Sequence, residues 1–322
     1  MNVVSCLGTL AAGWVAFGCQ PYRACEPVDD SAVGTLPERL SLTGLYAPES
    51  TAAVAPDVRP FRPRFELWSD GASKRRFIRL PPGSQIDTSD MDSWQFPVGT
   101  KVWKEFSREG VRVETRLLQR LTGGWVGLAY LWQPDGADAL AVPYGAIDAL
   151  GTPHNVPASN ECEACHGGRS SHVLGFSAVQ LAQQTEPEGL SLDELARLEL
   201  ISDVPAAAPE LPGSDIEQAA LGYLHANCSH CHNASRPKHG GSRCFDPRND
   251  LDFLLRVDEA ASVSETGTYR TTSDVVDAGH PDDSPLLELV SQRSRFRQMP
   301  PLATEVVDDA AVALLRRWIE EM

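Results

Sequence analysis

Positive charge is scarce in this 322-residue chain: 28 Lys and Arg stand against 44 Asp and Glu, a net charge of -16 at pH 7. That deficit excludes a nucleic-acid surface and a polybasic membrane patch. It suits docking to a basic protein surface; the alternative is a solvated acidic surface with no specific partner. Long hydrophobic runs are scarce too. The apolar stretch from Val3 to Phe17 has the length of a signal-peptide core and is short for a membrane span. No Lys or Arg precedes Arg23, so the basic start of a secretory leader is missing. Methionine numbers four, and two of these, Met1 and Met322, are terminal. What remains, 42% hydrophobic and 22% charged residues, describes a soluble globular chain long enough for two domains.

Of eight cysteines, four fall in two copies of one pattern, Cys162-Glu163-Ala164-Cys165-His166 and Cys228-Ser229-His230-Cys231-His232. Cys-x-x-Cys-His is the attachment sequence of a c-type haem. Its two thiols add across the vinyl groups, and the adjacent His lies under the iron. The pattern therefore predicts two covalently bound haem c groups, held by Cys162, Cys165, Cys228 and Cys231, with His166 and His232 as proximal ligands. A structural zinc site is the competing use of paired Cys-x-x-Cys motifs. The His directly after each second Cys argues for haem.

Covalent haem attachment in bacteria is extracytoplasmic, so residues 1–19 are expected to be a signal peptide or lipoprotein leader. Gly18-Cys19 after an apolar run resembles a lipoprotein cleavage site, with Ala16 where Leu is usual. The expected location is the periplasm or cell envelope, with membrane attachment through a lipidated Cys19 or, alternatively, none. Cys25 and Cys244 are then left to pair in an oxidising compartment or to stay as buried thiols.

Residues 20–60, rich in Pro, Ala and acidic side chains, read as a tether or an extended wrap. Residues 61–176 read as a β-rich domain ending in the first motif. Its runs 75–80, 101–106, 111–117 and 125–132 alternate or carry branched and aromatic residues, with Gly-containing turns at Glu109-Gly110 and Gly123-Gly124. The Trp cluster among them reads as core. Lys74-Arg75-Arg76 reads as a solvated turn, with neutralisation of haem propionates as the alternative. Residues 177–212 read as a helical linker, with Ser177 and Ser191 as helix caps. Residues 213–322 begin with Ser214 capping a helix that runs into Cys228, and end with an amphipathic helix from Asp308 to Glu321. The expected fold is α+β: an N-terminal antiparallel β-sandwich-like domain followed by a C-terminal all-α cytochrome c domain.

The order helix, haem motif, loops, Met, helix resembles a class I cytochrome c domain. That resemblance implies crossed first and last helices, with Gly222 permitting close approach and Tyr223 and Trp318 filling the crossing. Several phrases also resemble a bacterial family of di-haem c-type cytochromes with a β-rich N-terminal region. They are Leu67-Trp68-Ser69-Asp70-Gly71-Ala72, Trp94-Gln95-Phe96-Pro97-Val98-Gly99-Thr100, Glu114-Thr115-Arg116-Leu117, the Val156–Cys162 stretch, Val173-Leu174-Gly175-Phe176 and Gln298-Met299-Pro300-Pro301-Leu302. The family implies extracytoplasmic electron transfer; the expected role is to pass electrons between a redox enzyme and a respiratory acceptor.

Met299 is the expected sixth ligand of the second haem; a gap-filling core Met is the alternative. The first site has no Met-Pro loop. Its candidates are His154 upstream, His172 downstream and Met91 from the β-rich domain, or an open position. His225, His230, His239 and His280 read as loop or surface residues. A di-haem peroxidase-like enzyme is the alternative function, and zinc structure a third.

Overall fold

The computed structural model describes residues 33–48, 50–182, 189–234, 236, 250–259, 261–294 and 297–322. Cys6, Cys19, Cys25, Cys244 and His239 lie outside them, and with them the leader, the lipid site and the Cys25–Cys244 pair. The chain is mixed α+β. Strands β1 Arg59–Phe61, β2 Ser73–Arg79, β3 Lys101–Arg108, β4 Val111–Leu121, β5 Gly124–Trp132 and β6 Ala139–Ala141 form one antiparallel sheet in sequence order. Helices are α1 Ser159–His166, α2 Ala178–Leu181, α3 Leu192–Arg197, α4 Asp215–Asn227, α5 Gly267–Thr271, α6 Pro285–Val290 and α7 Asp309–Glu320.

Alternation builds the sheet. Phe77, Trp103, Leu117 and Tyr130 point to one face, and their neighbours Ile78, Val102 and Leu118 point to the other. Glu109 and Gly110 both take positive φ, the geometry of a tight hairpin turn between β3 and β4. Both faces are buried, but no second sheet covers either among the described residues, which corrects the sandwich expectation. One face is covered by residues 33–58, through Leu40, Leu45, Tyr46 and Val58. This part of the expected tether is thus a packed wrap; Pro37, Pro48 and Pro56 deny it an unbroken ladder. The other face is covered by Phe176, Leu181, Leu195 and Ile201, so the expected linker is also a covering layer.

The described part of residues 213–322 contains helices and no strand. Ser214 Oγ accepts from Glu217 N (3.3 Å) while the Glu217 carboxylate accepts from Ser214 N (2.7 Å), a capping box that starts α4. Ala220 and Leu224 of α4 pack with Leu315 and Trp318 of α7. Gly222 does not serve that crossing. A Cβ there would collide with the Phe65 ring, so the glycine is a notch for the segment before β2. The same segment clasps the two halves. Trp68 N donates to Asn227 Oδ1 (2.7 Å), Trp68 Nε1 to Val306 O (2.9 Å), and the Asp70 carboxylate accepts from Glu305 N and Val306 N.

Candidate cofactor site

The first motif occupies α1, started by a Glu161 carboxylate that accepts from Ala158 N at 2.8 Å. The helix lies directly on β5. Gly127 permits the approach: a Cβ there would fall 3.0 Å from Cys162 Cβ and 3.2 Å from its Sγ. His166 closes the helix, and its Nδ1 donates to the His172 carbonyl at 2.6 Å. His172 takes φ +56°, and its ring stacks on Trp125 with centroids 6.3 Å apart. His172 therefore holds His166 through its backbone. Fixing Nδ1 leaves Nε2 as the ligating nitrogen. Burial pushes the His166 pKa down to about 4, so the imidazole is neutral, the form that binds metal.

Cys162, Cys165 and His166 line one cavity of about 760 Å³, within the usual size of a cofactor pocket. The sheet face supplies Val102, Lys104, Arg116, Leu118 and Gly127, and Phe61, Phe65, Trp68 and Leu302 close other sides. The charged members are ordered. The Arg116 guanidinium grips the Glu114 carboxylate bidentately (2.9 and 2.5 Å), and Glu114 bonds His154 Nε2 at 2.7 Å. Burial alone would raise the Glu114 carboxyl; Arg116 and His154 bring it below its ordinary value. Arg76 pairs with Glu66 at 3.2 Å. Lys104 has no such partner among the described residues. Its ammonium lies 4.8 Å from the Phe106 ring centroid, and burial, with the charges of Arg76, Lys74 and Arg116, pushes its pKa well below normal.

Lys74-Arg75-Arg76 is not a turn. It is part of β2, with Lys74 and Arg76 side chains 8% and 5% exposed and Arg75 alone outward at 62%. His154 lines the cavity, but Glu114 takes its Nε2 and its ring leans on Phe106. Met91 packs in the sheet's core cluster, outside the cavity lining.

The second motif differs. Cys228 caps α4, with its N–H bonded to Leu224 O at 2.8 Å. Cys228 and Met299 each pack against the apolar cluster that includes Ala220, Leu224, Phe253 and Trp318. The His232 ring stands edge-on to Phe253 at 5.7 Å. All four motif cysteines are free, and burial pushes Cys162 up to about 11 and Cys228 to about 12, with Cys165 and Cys231 also raised. Among the described residues no three His, Cys, Asp or Glu side chains converge as a metal-holding group.

The two motifs touch. Asn233 Nδ2 donates to Gly168 O (3.1 Å) and to Ser229 O (2.7 Å), and Arg236 donates to His230 O (3.0 Å). A Cβ on Gly168 would collide with the His230 carbonyl. His225 and His230, read from sequence as loop or surface, are buried at 5% and 6% exposure. His225 Nδ1 accepts from Leu255 N at 3.1 Å. His230 borders the first cavity, and its Nδ1 has no hydrogen-bond partner among the described residues. No local pattern announces this, because it depends on the second motif packing against the first. His280 is exposed, as expected of a loop residue.

No protein-family model, curated protein or solved structure matches the chain.

Proposed function

We propose that this protein is a di-haem c-type cytochrome that carries electrons outside the cytoplasm, between a redox enzyme and a respiratory acceptor. One observation carries the reading: the thiols and the His of the first motif line a single cavity of about 760 Å³, with His166 Nδ1 tied to a backbone carbonyl. That donor set fits a haem. Bound there, haem c supplies one-electron exchange at iron, with a potential tuned by ligands and surroundings. The chain's own groups do the rest. Cys162 and Cys165 anchor, His166 presents Nε2, and the apolar walls exclude water.

At the second site Cys228 and Cys231 anchor, His232 is the proximal ligand and Met299 the sixth. Residues 213–322 are accordingly a class I cytochrome c domain. The Gly168–Asn233 hydrogen bond fixes one motif against the other, an arrangement suited to direct exchange between the sites. The acidic surface suits a basic redox partner. Export through residues 1–19 to the periplasm or envelope, with or without a lipid on Cys19, belongs to the same reading.

The test is expression with a haem maturation system, followed by mass and absorbance after denaturation. Two haems that stay attached are expected; a protein without covalent haem overturns the reading.

A peroxidase-like reaction is the second reading. It is favoured by the buried Arg116–Glu114–His154 group in the first cavity, which joins a cation to a proton-handling His. Carbon monoxide binding to the reduced protein and peroxide-dependent turnover are its marks. Their absence leaves electron transfer alone.

A further inference from the structure

Strand register sets three cations in one line. Arg116 of β4 lies directly opposite Lys104 of β3, and Lys104 directly opposite Arg76 of β2. All three line the first cavity. At about 4.8 Å per strand the row spans roughly 10 Å. It begins one strand from β5, where Gly127 seats Cys162. Like charges directly opposite on a sheet repel, and burial sharpens the cost. Two members have counter-ions, Glu114 for Arg116 and Glu66 for Arg76, and Lys74 shares Glu66. Lys104, in the middle, has neither hydrogen bond nor ion pair among the described residues. In a chain of net charge -16, a cation row inside a cavity whose middle member lacks a counter-ion among the described residues is built for an anion.

In a c-type haem the thioether edge and the two propionates lie on opposite sides of the ring. The row runs away from the thiol end of the cavity. We propose that the Arg116–Lys104–Arg76 row receives the propionates of the first haem, with Lys104 as their principal counter-ion; this rests on the di-haem reading above. Lys104 is then a binding residue that also raises the potential of that haem, because it offsets carboxylate charge that favours ferric iron.

The test uses the full holoprotein in a Cys228→Ala/Cys231→Ala background, so that only the first haem titrates. Lys104→Met is expected to keep the haem and its optical spectrum while shifting the reduction equilibrium toward ferric by about tenfold, or about 59 mV for a one-electron couple. Lys104→Arg restores the original value. Arg75→Gln, on the outward face of the neighbouring strand β2, leaves it unchanged. A Lys104→Met protein with an unchanged potential overturns the proposal while the haem reading stands. A spectrum showing loss of an axial ligand also overturns it, by making Lys104 an iron ligand. A parent protein without covalent haem overturns the haem reading itself.

Discussion

The two Cys-x-x-Cys-His motifs are near copies in sequence and opposites in setting. The first lies between a β-sheet and a helical unit, with its thiols and His166 on a cavity that holds Arg76, Lys104, Arg116 and His154. The second lies within the helical unit, with Cys228 and Met299 against Leu224, Phe253 and Trp318. The same five-residue pattern thus faces a cavity with several charged side chains in one case, and in the other packs on an apolar cluster with Arg236 beside Cys231. Potential, ligand access and chemistry follow surroundings more than the motif.

The largest expected effect comes from joining the two settings badly. Gly168→Val forces a branched side chain into the His230 carbonyl and pushes the motifs apart. Overpacking of a well-packed contact costs about 1–3 kcal/mol, and a backbone partner cannot move aside easily. A loss of about 3 kcal/mol or more in urea unfolding is expected; wild-type stability would show that the motif–motif contact is not a rigid joint.

His225 probes the helix that leads into the second motif. Burial lowers its pKa from 6.5 to about 3. The unfolded chain takes up this proton near pH 6.5 and the folded chain only near pH 3, so the unfolded state binds more protons in between. Stability therefore falls as pH drops through that window, by up to about 1.4 kcal/mol per unit. His225→Leu removes the His225 share of that slope, leaving the share of buried His166 and His230, and leaves Leu255 N–H without its acceptor, a cost of about 1–3 kcal/mol at neutral pH. An unaltered pH slope in the variant would assign the proton uptake to another group.

Gly127→Ala acts on the sheet side alone. The new Cβ lies 3.0 Å from Cys162 Cβ, so α1 must lift by a few tenths of an ångström. A loss of about 1 kcal/mol and reduced haem attachment at the first motif, with the second unaffected, are expected. Equal loss at both motifs would mean that the settings are not independent.

Strands were legible in the sequence wherever apolar, branched or aromatic residues alternate or cluster: the runs at 101–106, 111–117 and 125–132 fall within β3 to β5, and the run at 75–80 overruns the end of β2 by one residue. The caps at Ser191 and Ser214 were legible because a Ser three residues before a Glu is a local signal. What covers the sheet was not legible. Residues 33–58 bury isolated side chains with no period, and only the fold reveals their partners. For the same reason Lys74 and Arg76 read as solvated when they are buried on a strand, and Gly222 read as a helix crossing when it receives Phe65. At the first candidate site the meeting of Cys162, Cys165 and His166 on one cavity follows from their spacing on a short helix. The Lys104–Arg116 pairing, the His172 carbonyl and the burial of His230 depend on contacts between distant segments.

The inequality of the two sites is tested most directly by potentiometric titration of the holoprotein beside Met299→Ala. The account predicts two separable transitions. Met299→Ala lowers one of them and abolishes the Met-to-iron charge-transfer band, and that transition is the one that survives in Cys162→Ala/Cys165→Ala. A single transition, or one indifferent to Met299, would contradict it.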